Sequence, residues 1–258
     1  MTKDAAREAP VVGLFVTCLV DLFRPSVAFA AIKLLKAGGA RVEVPLTQTC
    51  CGQPAYNSGD REDAKAIARQ VIEAFERVDS FIAHSATCAG MLKLHYPELL
   101  ADDPAYGKRA KALAAKSFEL IGFLVDVLGM PSVDAEFAKR VTYHDSCSSL
   151  REVQSATAAR QLLRSVDGIE LVELAEGEVC CGFGGTFSVK YPEIANAIVQ
   201  SKVRNIAATG ADCVLGGDLG CLLHIAGKLS REGSGVEVRH VAEVLAEMTD
   251  APGIGEKR

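Results

Sequence analysis

Short apolar, β-branched runs alternate with helical stripes along the whole chain. Residues 11–17 form the first such run, and Val27, Ala30, Ala31, Leu34 and Leu35 follow at helical spacing until Gly38 and Gly39 stop them. Residues 41–46 predict a second strand. Asp60 is placed to cap the next helix, whose apolar stripe is Ala64, Ile67, Ala68, Val71, Ile72 and Phe75. A third strand is expected over 80–84, a helix over 108–116, and a strongly apolar helix over 117–128 that Gly129, Met130 and Pro131 end.

The order then repeats about 130 residues later. Strands are expected over 141–145, 169–174, 213–217 and 236–239, and helices over 151–166, 194–207, 222–229 and 241–248, with a loose tail from Thr249. Strands that alternate with helices imply parallel sheets, whose post-strand loops emerge at one edge. The expected class is therefore α/β, with two pseudo-symmetric Rossmann-like halves of parallel sheet. Their boundary falls near Pro131, giving domains 1–131 and 132–258, with sites near the junction.

Composition narrows the function. The 258 residues carry 28 Lys plus Arg against 33 Asp plus Glu, mixed along the chain, which gives no support to nucleic-acid binding. Residues 1–8 mix both signs without an apolar core and read as a short disordered lead-in, neither a signal peptide nor a transit sequence. The apolar run over 11–20 is too short to cross a bilayer, which takes roughly 20 residues. A soluble, cytoplasmic protein is expected, in a compartment where clustered thiols mean a metal or redox chemistry more often than disulfides.

The chemistry lies in the cysteines. Cys50-Cys51-Gly52 recurs as Cys180-Cys181-Gly182, with Cys18 and Cys88 around the first triplet and Cys147 and Cys221 around the second. Eight of nine cysteines thus fall into two matching sets of four. Neighbouring thiols on a glycine turn can face one centre, and two more from other loops complete a four-thiolate site of the kind iron or zinc takes. Buried apolar filler is the plain alternative, but filler would not keep position in two halves. Cys213, inside a strand, is expected in the core, with an accessory ligand as the alternative.

The same pattern resembles the duplicated cysteine-rich CCG domain found in heterodisulfide reductases, in glycolate oxidase iron-sulfur subunits and in the lactate utilization protein A family. The phrases Gln48-Thr49-Cys50-Cys51-Gly52-Gln53, residues 180–190, and Cys221-Leu222-Leu223-His224-Ile225 are most similar to the lactate branch. The resemblance implies an iron-sulfur electron-transfer subunit with one or two clusters of 4Fe-4S type, ligated by Cys18, Cys50, Cys51, Cys88, Cys147, Cys180, Cys181 and Cys221. It also implies partner subunits, at least one with further iron-sulfur motifs, in oxidation of a 2-hydroxy acid, L-lactate to pyruvate above all. The fuller family pattern ends each set in Cys-x-x-Cys, and here Met91 and His224 stand at those last positions. Four thiols suffice for a four-iron cluster, and His224 is a candidate substitute ligand.

Other readings remain beside this one. Zinc suits four thiolates equally, in one half or as a structural subunit without redox work. A glycolate oxidase or heterodisulfide reductase type of subunit, or a thiol-disulfide enzyme, is the further alternative. Gly182-Phe183-Gly184-Gly185 lacks the lysine and hydroxyl of a P-loop, so its glycines are expected to donate backbone N–H groups to cluster sulfurs. His144-Asp145 is a candidate proton carrier or a strand-end pair. His84 and His240 are expected to be structural and His95 to lie on a helix surface, while Tyr56 and Tyr191 are candidate shields of the two sites.

Overall fold

The computed structural model describes residues 9–256, so the expected disordered lead-in over 1–8 lies outside the described residues. Among the described residues eight strands form two four-stranded sheets, parallel throughout. The first has β1 (Val11–Phe15), β2 (Arg41–Glu43), β3 (Ser80–Ala83) and β4 (Ser117–Glu119) in the order β2-β1-β3-β4. The second has β5 (Arg140–His144), β6 (Glu170–Val172), β7 (Cys213–Gly216) and β8 (Glu237–His240) in the order β6-β5-β7-β8. The chain is therefore α/β, with two similar halves of one topology.

The central strands are apolar because helices cover both of their faces. Val12, Leu14, Phe15, Phe81, Ile82, Val141, Val214 and Leu215 are all fully buried. One core cluster joins the halves. Leu34 and Leu35 from the helix Ser26–Ala37, and Leu120 and Leu124, pack in it with Leu162, Val241, Val244 and Leu245. Asp60 accepts the N–H of Asp63 at 3.1 Å, capping the helix Arg61–Phe75 as its sequence implied.

Four local expectations are corrected. The apolar run over 117–128 opens with β4 and only then turns helical, because such a run reads equally as a buried strand or a helix. The strand expected over 41–46 ends at Glu43, and Pro45 removes a ladder donor just beyond it. The helix expected over 151–166 is two helices, Cys147–Arg151 and Ala156–Leu163, parted where Gln154 takes a left-handed φ of 55°. The tail is not loose. Ile254 is 5% exposed and donates its N–H to the carbonyl of Val238 at 2.7 Å, while the carbonyl of Pro252 accepts from Arg24 at 2.6 Å.

The loops after β1, β3, β5 and β7 carry Cys18, Cys88, Cys147 and Cys221 at the carboxyl edges of the sheets. Cys18 and Cys147 each begin a short helix, and Cys88 and Cys221 each take the third position of the next one. Ser85 and Ser146 cap two of these helices, accepting N–H groups from Cys88 at 3.4 Å and Ser149 at 3.1 Å. The paired cysteines arrive on longer loops after β2 and β6.

Candidate metal and redox centre

Each set of four thiols faces the same cavity. In the first half the sulfurs of Cys18 and Cys50 lie 3.8 Å apart and those of Cys51 and Cys88 3.3 Å apart. Cys50 and Cys51 are neighbours in the chain, which links the two pairs. In the second half the sulfurs of Cys181 and Cys221 lie within 4.8 Å of each other, and Cys147 and Cys180 face the same cavity. All nine cysteines are free thiols, and all eight of the matched ones line a single cavity of about 400 Å³ between the halves.

The triplet geometry follows from its glycines. Gly52 and Gly182 take φ of 81° and 83°, a turn that L side chains rarely adopt. The N–H of Gly52 donates to Sγ of Cys50 at 3.4 Å, that of Gly182 to Sγ of Cys180 at 3.3 Å, and that of Phe183 to Sγ of Cys181 at 3.5 Å. Of the glycines expected to donate in the second loop only Gly182 meets a sulfur, and the other donor is Phe183. Beneath each turn runs a helix. A Cβ on Gly182 would come 2.7 Å from the carbonyl oxygen of Ala195, whereas one on Gly52 would meet the Ile67 side chain at 3.3 Å. Gly182→Ala is therefore expected to destabilise by clearly more than Gly52→Ala, which bears only the left-handed strain of about 1–2 kcal/mol. Paired urea titrations check this; equal losses would refute the contact argument.

Thiols in contact cannot all ionise together. Hydrogen bonds from Cys18 and Cys51 push the Cys50 thiol far below its usual range, and Cys147 and Cys181 do the same for Cys180. The partners move the other way: Cys18, Cys51, Cys147 and Cys181 are raised by those same bonds and by burial. Such a set becomes fully ionised only around a cation. Soft donors, four to a half, with backbone N–H groups aimed at two of them, fit an iron-sulfur cluster or zinc.

The two halves hold their triplets differently. The phenol of Tyr96 donates to the carbonyl of Cys51 at 2.9 Å, and the ring of His224 reaches the matching carbonyl of Cys181 through Nδ1 at 3.1 Å. His224 therefore anchors the ligand loop, and Met91, at the matching place in the first half, is fully buried in the core. His144 ends β5 where Phe15 ends β1. It is 1% exposed, and neither ring nitrogen has a hydrogen-bond partner. One donor atom each from His144, Cys181 and Cys221 lies within 4.8 Å of the others, so His144 could add a nitrogen to the second site. Burial holds its pKa down at about 3, which keeps the imidazole neutral and able to ligate.

The remaining sequence candidates fall outside the cavity wall. Cys213 is fully buried in the shared core. Asp145 pairs with Arg160 at 2.8 Å. His84 accepts the N–H of Thr17 at 3.2 Å, and His240 caps the helix Val241–Leu245 by accepting from Ala242 at 3.2 Å. His95 is not a free surface residue: it stacks on Tyr56 at 5.0 Å and lies 3.4 Å from Glu152 of the other half. Tyr191, 54% exposed, packs on Phe187. Two residues were missed. Asp218 accepts both the N–H and the hydroxyl of Thr87 across the junction, and Lys202 lies fully buried behind the second triplet. The signal for Lys202 was its place on the apolar stripe of the helix Pro192–Ala208, beside Val199, Val203 and Ile206.

The cysteine-rich domain model CCG matches this chain twice, over residues 12–93 and 141–226. Lactate utilization protein A of Shouchella clausii is 49% identical over 234 residues, covering 91% of this chain and 98% of that protein. The protein of the same name from Exiguobacterium sp. is 47% identical over 240 residues, covering 92% and 98%. Among solved structures, a hypothetical protein from Helicobacter pylori superposes with a TM-score of 0.64 at 14% identity. It covers 98% of this chain and this chain spans about half, 52%, of its length, a likeness of fold alone.

Proposed function

We propose, because this chain belongs to the lactate utilization protein A family with its twice-repeated CCG cysteine-rich domain, that it is an iron-sulfur electron-transfer subunit of a multi-protein lactate utilization system. The 2-hydroxy acid oxidised by that system would be L-lactate, giving pyruvate. Each half would hold one cluster of 4Fe-4S type, the first on Cys18, Cys50, Cys51 and Cys88 and the second on Cys147, Cys180, Cys181 and Cys221. The observation that carries this reading is the convergence of both cysteine sets on one junction cavity.

A bound cluster would supply one-electron acceptance and release. The chain's own residues would do the rest. Gly52, Gly182 and Phe183 donate N–H groups to sulfur, which disperses negative charge and raises the potential. Leu19, Pro54, Phe183, Val189 and Leu219 give the cavity a largely apolar lining. Cys51 and Cys181 are buried, while the other six ligands are only half-buried, leaving a face where a partner protein can come close. No helix among the described residues is long and apolar enough to cross a membrane, and free thiols in number suit the reducing cytoplasm proposed for it.

Purified without oxygen, the protein is expected to be brown, and its broad visible absorption should bleach with dithionite and return on reoxidation. A colourless protein that holds zinc and takes up no electrons would replace this reading with the structural one.

A further inference from the structure

The two sites differ in one buried charge. The helices beneath the triplets correspond through their contacts. Ala64 and Ile67 lie against Gly52 as Ala195 and Ile198 lie against Gly182, so Val71 and Lys202 occupy the same position. Both are fully buried. Among the described residues the ammonium of Lys202 makes no ion pair. It donates to the backbone carbonyls of Glu176 and Gly177, at 3.1 and 3.2 Å, in the loop that leads to Cys180. Its charge acts on Cys147, Cys180, Cys181 and Cys221, the whole second set.

A buried ammonium without a counter-ion is penalised by several kcal/mol. The anionic groups whose charges act on it are Cys181, Cys180, Cys147 and Asp145, and Asp145 is already paired with Arg160, which leaves the thiols. Four thiolates outnumber the charges of a dication by two and also leave an iron-sulfur cluster net negative, so the loaded site supplies more counter-charge than the Cys180 thiolate alone. Adding an electron makes it more negative still, and a fixed cation in low dielectric favours that state. Val71 offers nothing comparable in the first half. His144 in place of Phe15 adds to the polarity of the same side.

We propose that Lys202 is a positioning residue that sets the second half's group at a higher reduction potential than the first, so that a single added electron rests in the second half. This rests on the iron-sulfur reading above and deepens it, since it gives the two sites different roles.

The experiment is a redox titration of the loaded full-length protein, followed by visible absorption and electron paramagnetic resonance. Cys181→Ser assigns the signals by removing those of the second half. In Lys202→Met the second-half wave is expected to fall by a tenfold or greater loss of electron affinity, about 59 mV for a one-electron couple, while the first-half wave stays in place. Lys202→Gln keeps a donor for the two carbonyls and removes the charge, so it should fall likewise. A wave unchanged in both variants overturns the proposal. So does a wave that falls with Met and is rescued by Gln, which would make the hydrogen bond the cause. Loss of the second-half group from both variants would assign Lys202 to holding the loop and overturn it as well. A wild-type protein with no redox wave would sink the iron-sulfur reading, and this inference with it, which is a distinct result from loaded sites that ignore Lys202.

Discussion

Cys181→Ser should strip the second half of its metal and leave the first half loaded, so that iron per chain falls by about half, from roughly eight to roughly four. Cys51→Ser should do the converse. Both residues are buried, and each has another ligand of its set close by, Cys88 at 3.3 Å from Cys51 and Cys221 within 4.8 Å of Cys181. A hydroxyl there is a harder, weaker donor that stays protonated, so the set is left one soft ligand short. Independence follows from topology: each set is delivered wholly by the loops of one sheet. The outcome that contradicts this is a loss of all metal from either variant, which would mean that one group is shared across the cavity. Cys213→Ser is the control. Cys213 sits in β7 within the core and is expected to leave the metal content unchanged.

The second large effect concerns how the halves are held together. Arg24, just after the helix that starts with Cys18, reaches across to the C-terminal helix Val241–Leu245. Its guanidinium contacts the Glu243 carboxylate at 2.8 and 3.3 Å and the carbonyl of Pro252 at 2.6 Å. The Glu243 side chain is fully buried, and the Ser26 hydroxyl and the His240 N–H also donate to it. Arg24→Met removes the cation and strands a buried carboxylate, which typically destabilises by about 3–5 kcal/mol. The double variant Arg24→Met with Glu243→Met should recover much of that loss, since no charge is then left unpaired. Urea denaturation of the four proteins measures it. If the double variant were as weak as the sum of the singles, the ion pair would not be the cause.

Much of this architecture could be read from residue order. The alternation of β-branched runs with helical stripes implied parallel sheets, and the repeated triplet implied duplication. Both hold, because buried parallel strands and amphipathic helices leave patterns that do not depend on distant contacts. What stayed hidden depends on such contacts. β4 is a three-residue strand at the head of an apolar run, and only its pairing with β3 separates it from the helix that follows. The tail from Thr249 looks loose until Ile254 finds β8 and Pro252 finds Arg24.

The site shows the same division. Eight cysteines were picked out by spacing alone, whereas of the glycines in the second loop only Gly182 donates its N–H to a sulfur, with Phe183 beside it. Sites near the junction were expected, but that both sets line a single cavity follows from how the halves pack. His224 read as a candidate ligand because it stands where the family has cysteine, yet its Nδ1 is engaged with the carbonyl of Cys181. Lys202 was passed over, although it stands on the apolar stripe of its helix where Val71 stands in the first half, and its burial follows from that place.

Iron, acid-labile sulfide and zinc counted per chain on anaerobically purified protein bear most directly on the role given to the two thiol sets. Iron and sulfide in equal amounts, about four of each per half, with zinc near zero, is the expected result. Zinc at about one per half without sulfide would contradict it and leave the converging cysteines a structural role.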